Sequence, residues 1–200
     1  MSLDLSSCSD GELAALARTG RQDVYREFLA RYKAPVFRLI RGNVADADEA
    51  MDLTQETFVA GFAALARYDG ERPFRLWISR IALNKCRDWA RRRAVRAFFA
   101  RALPLESAHD VAIDAPAPDV EAEARAELAR VRAAMAALPH NLREVLVLRG
   151  VEDLSQSEAA AVLNVSEKTV ETRLYRARAK LRVLLDGGGG AAGGPHPDNL

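Results

Sequence analysis

The sequence predicts an all-α fold made of two small helical domains joined by a flexible acidic linker. Three observations carry this prediction. Apolar residues recur at helical spacing along most of the 200 residues, and no stretch shows the convincing period-2 alternation of a half-buried strand. Between residues 101 and 124 that periodicity gives way to Pro104, Pro116 and Pro118, small residues and acids, the composition of an extended connector. The charge, although +1 in sum, is segregated along the chain into a basic, an acidic and a second basic block.

The elements follow in order. Leu13, Leu16 and Ala17 mark a short first helix. Val24, Phe28, Leu29, Tyr32, Val36 and Ile40 form one face of a second, in which Pro35 is expected to kink or break the rod. Residues 46–67 form a third, with Met51, Phe58, Phe62 and Leu65 on its buried side. Gly70 and Pro73 punctuate a loop over 67–73. Phe74, Trp77, Ile78, Ile81 and Trp89 then set the buried face of a helix that runs into Arg91, Arg92 and Arg93. Trp77 is expected in the core, and Trp89 lies beside the basic run. Beyond the linker, Leu128, Val131, Met135 and Leu138 resume helical spacing, and Pro139 opens the next helix, with Leu142, Val145, Leu146 and Leu148 apolar. The last residues, from 187 on, are a Gly-rich tail without core residues, expected to be disordered.

Composition excludes several classes. No apolar run approaches the roughly 18 residues of a membrane-spanning helix, and the N-terminus lacks the basic and apolar regions of a secretory signal. Cys8 and Cys86 are too few for a disulfide scaffold, so a reduced, cytoplasmic setting is expected. His109, His140 and His196 lie in linker, helix start and tail, with no ligand spacing for a metal. No phosphate-cradling glycine motif is present, and no cofactor, catalytic residue or small-molecule substrate is expected.

Residues 154–182 read as a helix-turn-helix. Ser155 and Glu158 have capping-box spacing. Asn164 stands where a tight turn needs positive φ, and Ser166 can cap the second helix. Val170, Leu174, Ala177 and Leu181 form the buried stripe of that helix. Lys168, Thr169, Glu171, Thr172, Arg173, Tyr175 and Arg176 are then left on or near its outward side. Such a helix enters a major groove by its N-terminal end. Arg173 and Arg176 can grip guanine or phosphate and Thr172 a base edge. Lys168 suits a phosphate. Glu171 is out of place there unless a cytosine or a neighbouring Arg donates to it. A helical hairpin packed on a protein partner would give the same pattern.

Two further stretches complete the picture. Asp52-Leu-Thr-Gln55-Glu56-Thr-Phe58 and Phe74-Arg-Leu-Trp77-Ile-Ser-Arg80-Ile81-Ala82-Leu83-Asn84 resemble runs of region 2 of the bacterial sigma-70 family, and residues 138–182 resemble its region 4. The order and separation are similar to those of the minimal, extracytoplasmic-function (ECF) sigma factors, with no counterpart to regions 1.1 and 3. The resemblance implies region 2 over 10–100, a linker over 101–124, region 4 over 125–186 and a tail over 187–200. It implies an initiation factor, not an enzyme, with core RNA polymerase, promoter DNA and an anti-sigma factor (often membrane-anchored) as partners. Core polymerase would dock on Asp52, Gln55 and Glu56. The −10 strand would meet Tyr68, Asp69, Asn84, Arg87, Arg91 and Arg92, with Asn84 at a base. The −35 element would meet Lys168, Thr169, Thr172, Arg173, Tyr175 and Arg176. The acidic linker would thread the polymerase channels, or serve as a spacer that does not stick to DNA. Two rivals stay open: a homodimeric helix-turn-helix regulator, and a sigma mimic that sequesters an anti-sigma.

Overall fold

Ser9 and Glu12 open helix α1 (Asp10–Arg18) with a capping box: the Ser9 amide donates to Glu12 Oε2 at 2.7 Å and the Glu12 amide to Ser9 Oγ at 3.2 Å. The computed structural model describes residues 4–102 and 120–187. Its helices are α1, α2 (Asp23–Asn43), α3 (Ala47–Ala64), α4 (Phe74–Ala102), α5 (Val120–Ala136), α6 (His140–Gly150), α7 (Gln156–Leu163) and α8 (Glu167–Gly187). No strand occurs among the described residues. The fold is all-α, as the spacing predicts. None of these helices is long and apolar enough to cross a membrane. The tail from residue 188 and most of the expected linker, residues 103–119, lie outside the described residues.

Several boundaries differ from expectation. Helix α2 runs unbroken through Pro35. A proline inside a helix costs about 3 kcal/mol, but Phe28 on one side of it and Val36, Leu39 and Ile40 on the other are all buried, so packing holds one rod. Helix α4 continues to Ala102 and α5 starts at Val120, so the connector is shorter at both ends than 101–124. No Gly or Pro interrupts residues 91–102, and Ala and Arg are strong helix formers. Pro139 stands one residue before α6, as its N-cap. Met51, expected inside, is 38% exposed, and Leu128 is exposed as well.

Helices α1 to α4 make up the N-terminal half of the described fold. Its core holds Leu13, Val24, Phe28, Leu39, Ile40, Leu53, Phe74, Ile78 and Leu83. Phe28 and Phe74 stack with centroids 4.2 Å apart. Helices α5 to α8 make up the C-terminal half, around Val145, Leu148, Leu154, Val162 and Val170. The two halves share one continuous core. Helix α2 meets α6 and α4 meets α7.

Candidate nucleic-acid interface

The helix-turn-helix forms from local chemistry alone. Ser155 and Glu158 make the capping box of α7, with Ser155 N–H to Glu158 Oε2 at 2.7 Å and Glu158 N–H to Ser155 Oγ at 3.2 Å. Asn164 takes φ 55° and ψ 50°, the left-handed corner predicted for it. Ser166 Oγ accepts from the Thr169 amide at 3.2 Å at the start of α8. Val170 and Ala177 are fully buried, and Leu174 and Leu181 are partly buried. Lys168, Tyr175 and Arg176 are exposed, with Tyr175 76% accessible, while Thr169, Thr172 and Arg173 are half-buried. The Thr172 hydroxyl donates to the Lys168 carbonyl at 2.9 Å, so it must rotate to reach a base. Glu171 is held by Lys168 at 3.0 Å, which offsets its charge near a phosphate. The outward end of α8 is thus cationic and ordered before any ligand arrives.

The residues assigned to the −10 strand divide. Asp69 and Asn84 are exposed. Asp69 stiffens its loop, accepting from the Glu71 amide at 3.2 Å and pairing with Arg72 at 3.2 Å. Arg91 pairs with Asp88, and Arg92 is exposed. Arg93 lies over the Trp89 ring, 5.4 Å from its centroid. Tyr68 corrects an expectation. Its side chain is 2% exposed, its hydroxyl donates to the Arg72 carbonyl, and its ring packs 5.3 Å from both Phe74 and Trp77. Burial pushes its phenol up to about 12. The ring closes the core beneath the loop instead of facing a base. Trp77 is partly buried, and Trp89 is buried with its indole N–H on Glu49 Oε2 at 2.9 Å. Arg87 is not free for a phosphate here. Its Nε and Nη2 donate to Glu144 Oε1 and Oε2 at 2.6 and 2.9 Å, and its Nη1 donates to Asn84 Oδ1 at 3.1 Å.

Asp52, Gln55 and Glu56 share one exposed face of α3, as positions i, i+3 and i+4 must. Met51 and Val59, 38% and 70% exposed, add apolar area to that face. Glu56 meets Lys85 of α4 at 3.1 Å. The face thus mixes carboxylates with exposed apolar side chains.

Sequence reasoning missed the residues that bring the regions together. Glu144 and Glu152, each with a side chain 3% exposed, take Arg87, and Arg38 with Arg75, respectively. Arg143 donates to the carbonyls of Met135 and Leu138 at 2.9 Å and of Asn43 at 2.8 Å. One signal was available: Glu144 is a lone acid within the apolar run Leu142–Leu148, where an unpaired charge would not be tolerated. Among the described residues, no three His, Cys, Asp or Glu gather to hold a metal ion.

Comparison with known proteins places this architecture. Residues 28–96 match the model of sigma-70 region 2 and residues 128–181 that of sigma-70 region 4. The RNA polymerase sigma factor CnrH of Cupriavidus metallidurans is 44% identical over 181 residues, covering 89% of this chain and 95% of that protein. The ECF RNA polymerase sigma factor SigW of Bacillus subtilis is 29% identical, covering 84% and 92%. A solved structure of CnrH in complex with the cytosolic domain of CnrY superposes with a TM-score of 0.66 at 37% identity, over 90% of this chain and 99% of that one. The chain belongs to the sigma-70 family. Within it, it is an ECF sigma factor.

Proposed function

We propose that this chain binds core RNA polymerase in the cytoplasm and directs it to a promoter. The exposed Asp52, Gln55 and Glu56 face takes the large polymerase subunit. The N-terminal end of α8, with Lys168, Thr169, Thr172, Arg173, Tyr175 and Arg176, enters the −35 major groove. Asp69, Asn84, Arg87, Arg91 and Arg92 hold the separated −10 strand, with Asn84 offering both a donor and an acceptor to a base edge. An anti-sigma protein keeps the factor silent until a stress signal arrives. The reading assigns the chain no catalytic step.

The observation that carries this reading is the pairing of two features in one chain. A capped, cationic helix, α8, and an exposed acidic and apolar face on α3 occur together. A homodimeric regulator would leave the α3 face idle. The test is in vitro transcription with core polymerase on a promoter library, with the intact chain and with Arg173→Ala plus Arg176→Ala. The double variant is expected to lose −35-dependent initiation while still binding core. Full-strength binding to duplex DNA without core polymerase would favour the ordinary regulator.

A further inference from the structure

Residues 168–182 of α8 carry the cations Lys168, Arg173, Arg176, Arg178, Lys180 and Arg182 and a single acid, Glu171. A helix that gripped phosphates and nothing else would be weakened by that carboxylate. Glu171 is nevertheless on the outward side. Lys168, Glu171, Thr172 and Tyr175 stand at i, i+3, i+4 and i+7 and so share one face, while Val170 and Ala177, both fully buried, lie on the opposite one. These four residues, with Gln156 of α7 and Arg178, line a concavity of about 420 Å³. Within it Lys168 Nζ donates to Glu171 Oε2 at 3.0 Å, with both side chains open to solvent. The face thus presents an acceptor and a donor side by side.

A recognition helix turns such a face toward the base edges. Two groups in the major groove donate, cytosine N4 and adenine N6. Adenine N6 has an acceptor on each side, N7 of its own ring and O4 of the paired thymine, so a carboxylate placed there meets the N7 lone pair. Cytosine N4 has acceptors on one side alone, O6 and then N7 of the paired guanine. A C·G pair therefore shows a donor followed by two acceptors, the complement of a carboxylate beside an ammonium. The spacing agrees. Cytosine N4 and guanine O6 are hydrogen-bonded partners about 2.9 Å apart, against 3.0 Å between Nζ and Oε2. The two charges also stay together as water leaves the groove, so neither is buried alone.

We infer that Glu171 and Lys168 together read one C·G pair of the −35 element: Glu171 accepts from cytosine N4, and Lys168 donates to O6 and N7 of the paired guanine. The inference rests on the promoter-reading function proposed above and names a base pair which that function selects. Glu171 acts in two directions. Over C·G it adds a contact, and over any other pair its charge lies among phosphates without a clean donor, which penalises the wrong sequence.

In vitro transcription with core polymerase tests this on a library randomised across the −35 element, each promoter being identified by a barcode in its transcript. The wild-type chain should favour C·G at one position by about tenfold or more. Glu171→Ala should remove most of that preference, at that position alone, and raise initiation from promoters lacking the pair. Glu171→Gln should move the same position toward A·T, because an amide matches adenine N6 and N7. Lys168→Ala should weaken the preference at this position and at no other. A −35 preference without a C·G position would overturn the assignment. So would a C·G preference that survives both Glu171 variants, or Glu171 and Lys168 variants that act at different positions. Each of these results would leave promoter reading itself intact. A wild-type chain with no preference anywhere in the −35 element would overturn promoter reading, and the base assignment with it.

Discussion

Cys86 shows how much a single position depends on its surroundings. It sits 1% exposed on α4, and burial, with the nearby Glu144 charge adding to it, pushes its thiol up to about 12. The thiolate is the reactive form, so Cys86 is inert while the fold is intact and is ill suited to redox sensing. Alkylation at pH 8 should therefore modify the native chain at Cys8 alone, and at both cysteines in denaturant, as counted by mass spectrometry. Native labelling of Cys86 at the rate of an open thiol would contradict this burial. Other single residues were readable in the sequence because their roles are local. Asn164 and the Ser155–Glu158 pair depend only on neighbours within one turn, and they adopt the predicted states. Tyr68 was not readable, because its burial comes from Phe74, Trp77 and the Arg72 carbonyl folding over it.

At the scale of elements, period and punctuation set most of the helices, while neighbours set their ends and faces. The spacing of Val24, Phe28, Val36 and Ile40 predicted α2, but only its packing on other helices explains why Pro35 does not end it. Met51 fits the helical period of α3 and yet is 38% exposed, since the described elements leave that edge of the helix partly open. Contacts between elements also explain the shape of the 67–73 loop. A β-carbon added at Gly11 on α1 would lie 2.8 Å from the Gly70 carbonyl oxygen, a backbone atom that cannot swing aside. Gly11→Ala should therefore push the loop away from α1, although alanine favours the helix itself. The expected loss is about 1–3 kcal/mol, read as a lowered Tm in thermal unfolding followed by circular dichroism. A raised Tm would show that the loop yields freely.

At the scale of the whole molecule, the segregated charge marked basic stretches that fall on α4 and α8 but said nothing of how those helices sit together. The pairs that join the two halves lie 57 or more residues apart in sequence, and no local pattern links Arg87 to Glu144 or Arg38 to Glu152. The exposed face of α3 proposed for core polymerase was legible as a polar face in the sequence. Asp52, Gln55 and Glu56 fall opposite buried Leu53, Thr54 and Phe58, and the fold leaves them open. That face differs in kind from the surfaces proposed to read DNA: it carries carboxylates and apolar side chains, where α8 carries lysine and arginine.

Association with core RNA polymerase is the step on which the rest depends, and size-exclusion chromatography of the purified full chain with core enzyme measures it directly. The chain is expected to co-elute with core as a one-to-one complex, and Glu56→Arg, which leaves the buried residues untouched, is expected to weaken that complex about tenfold or more, a loss of at least about 1.4 kcal/mol. A correctly folded chain that migrates apart from core polymerase at micromolar concentration, or a Glu56→Arg variant that binds as well as the original, would contradict the assignment of this face and of the function built on it.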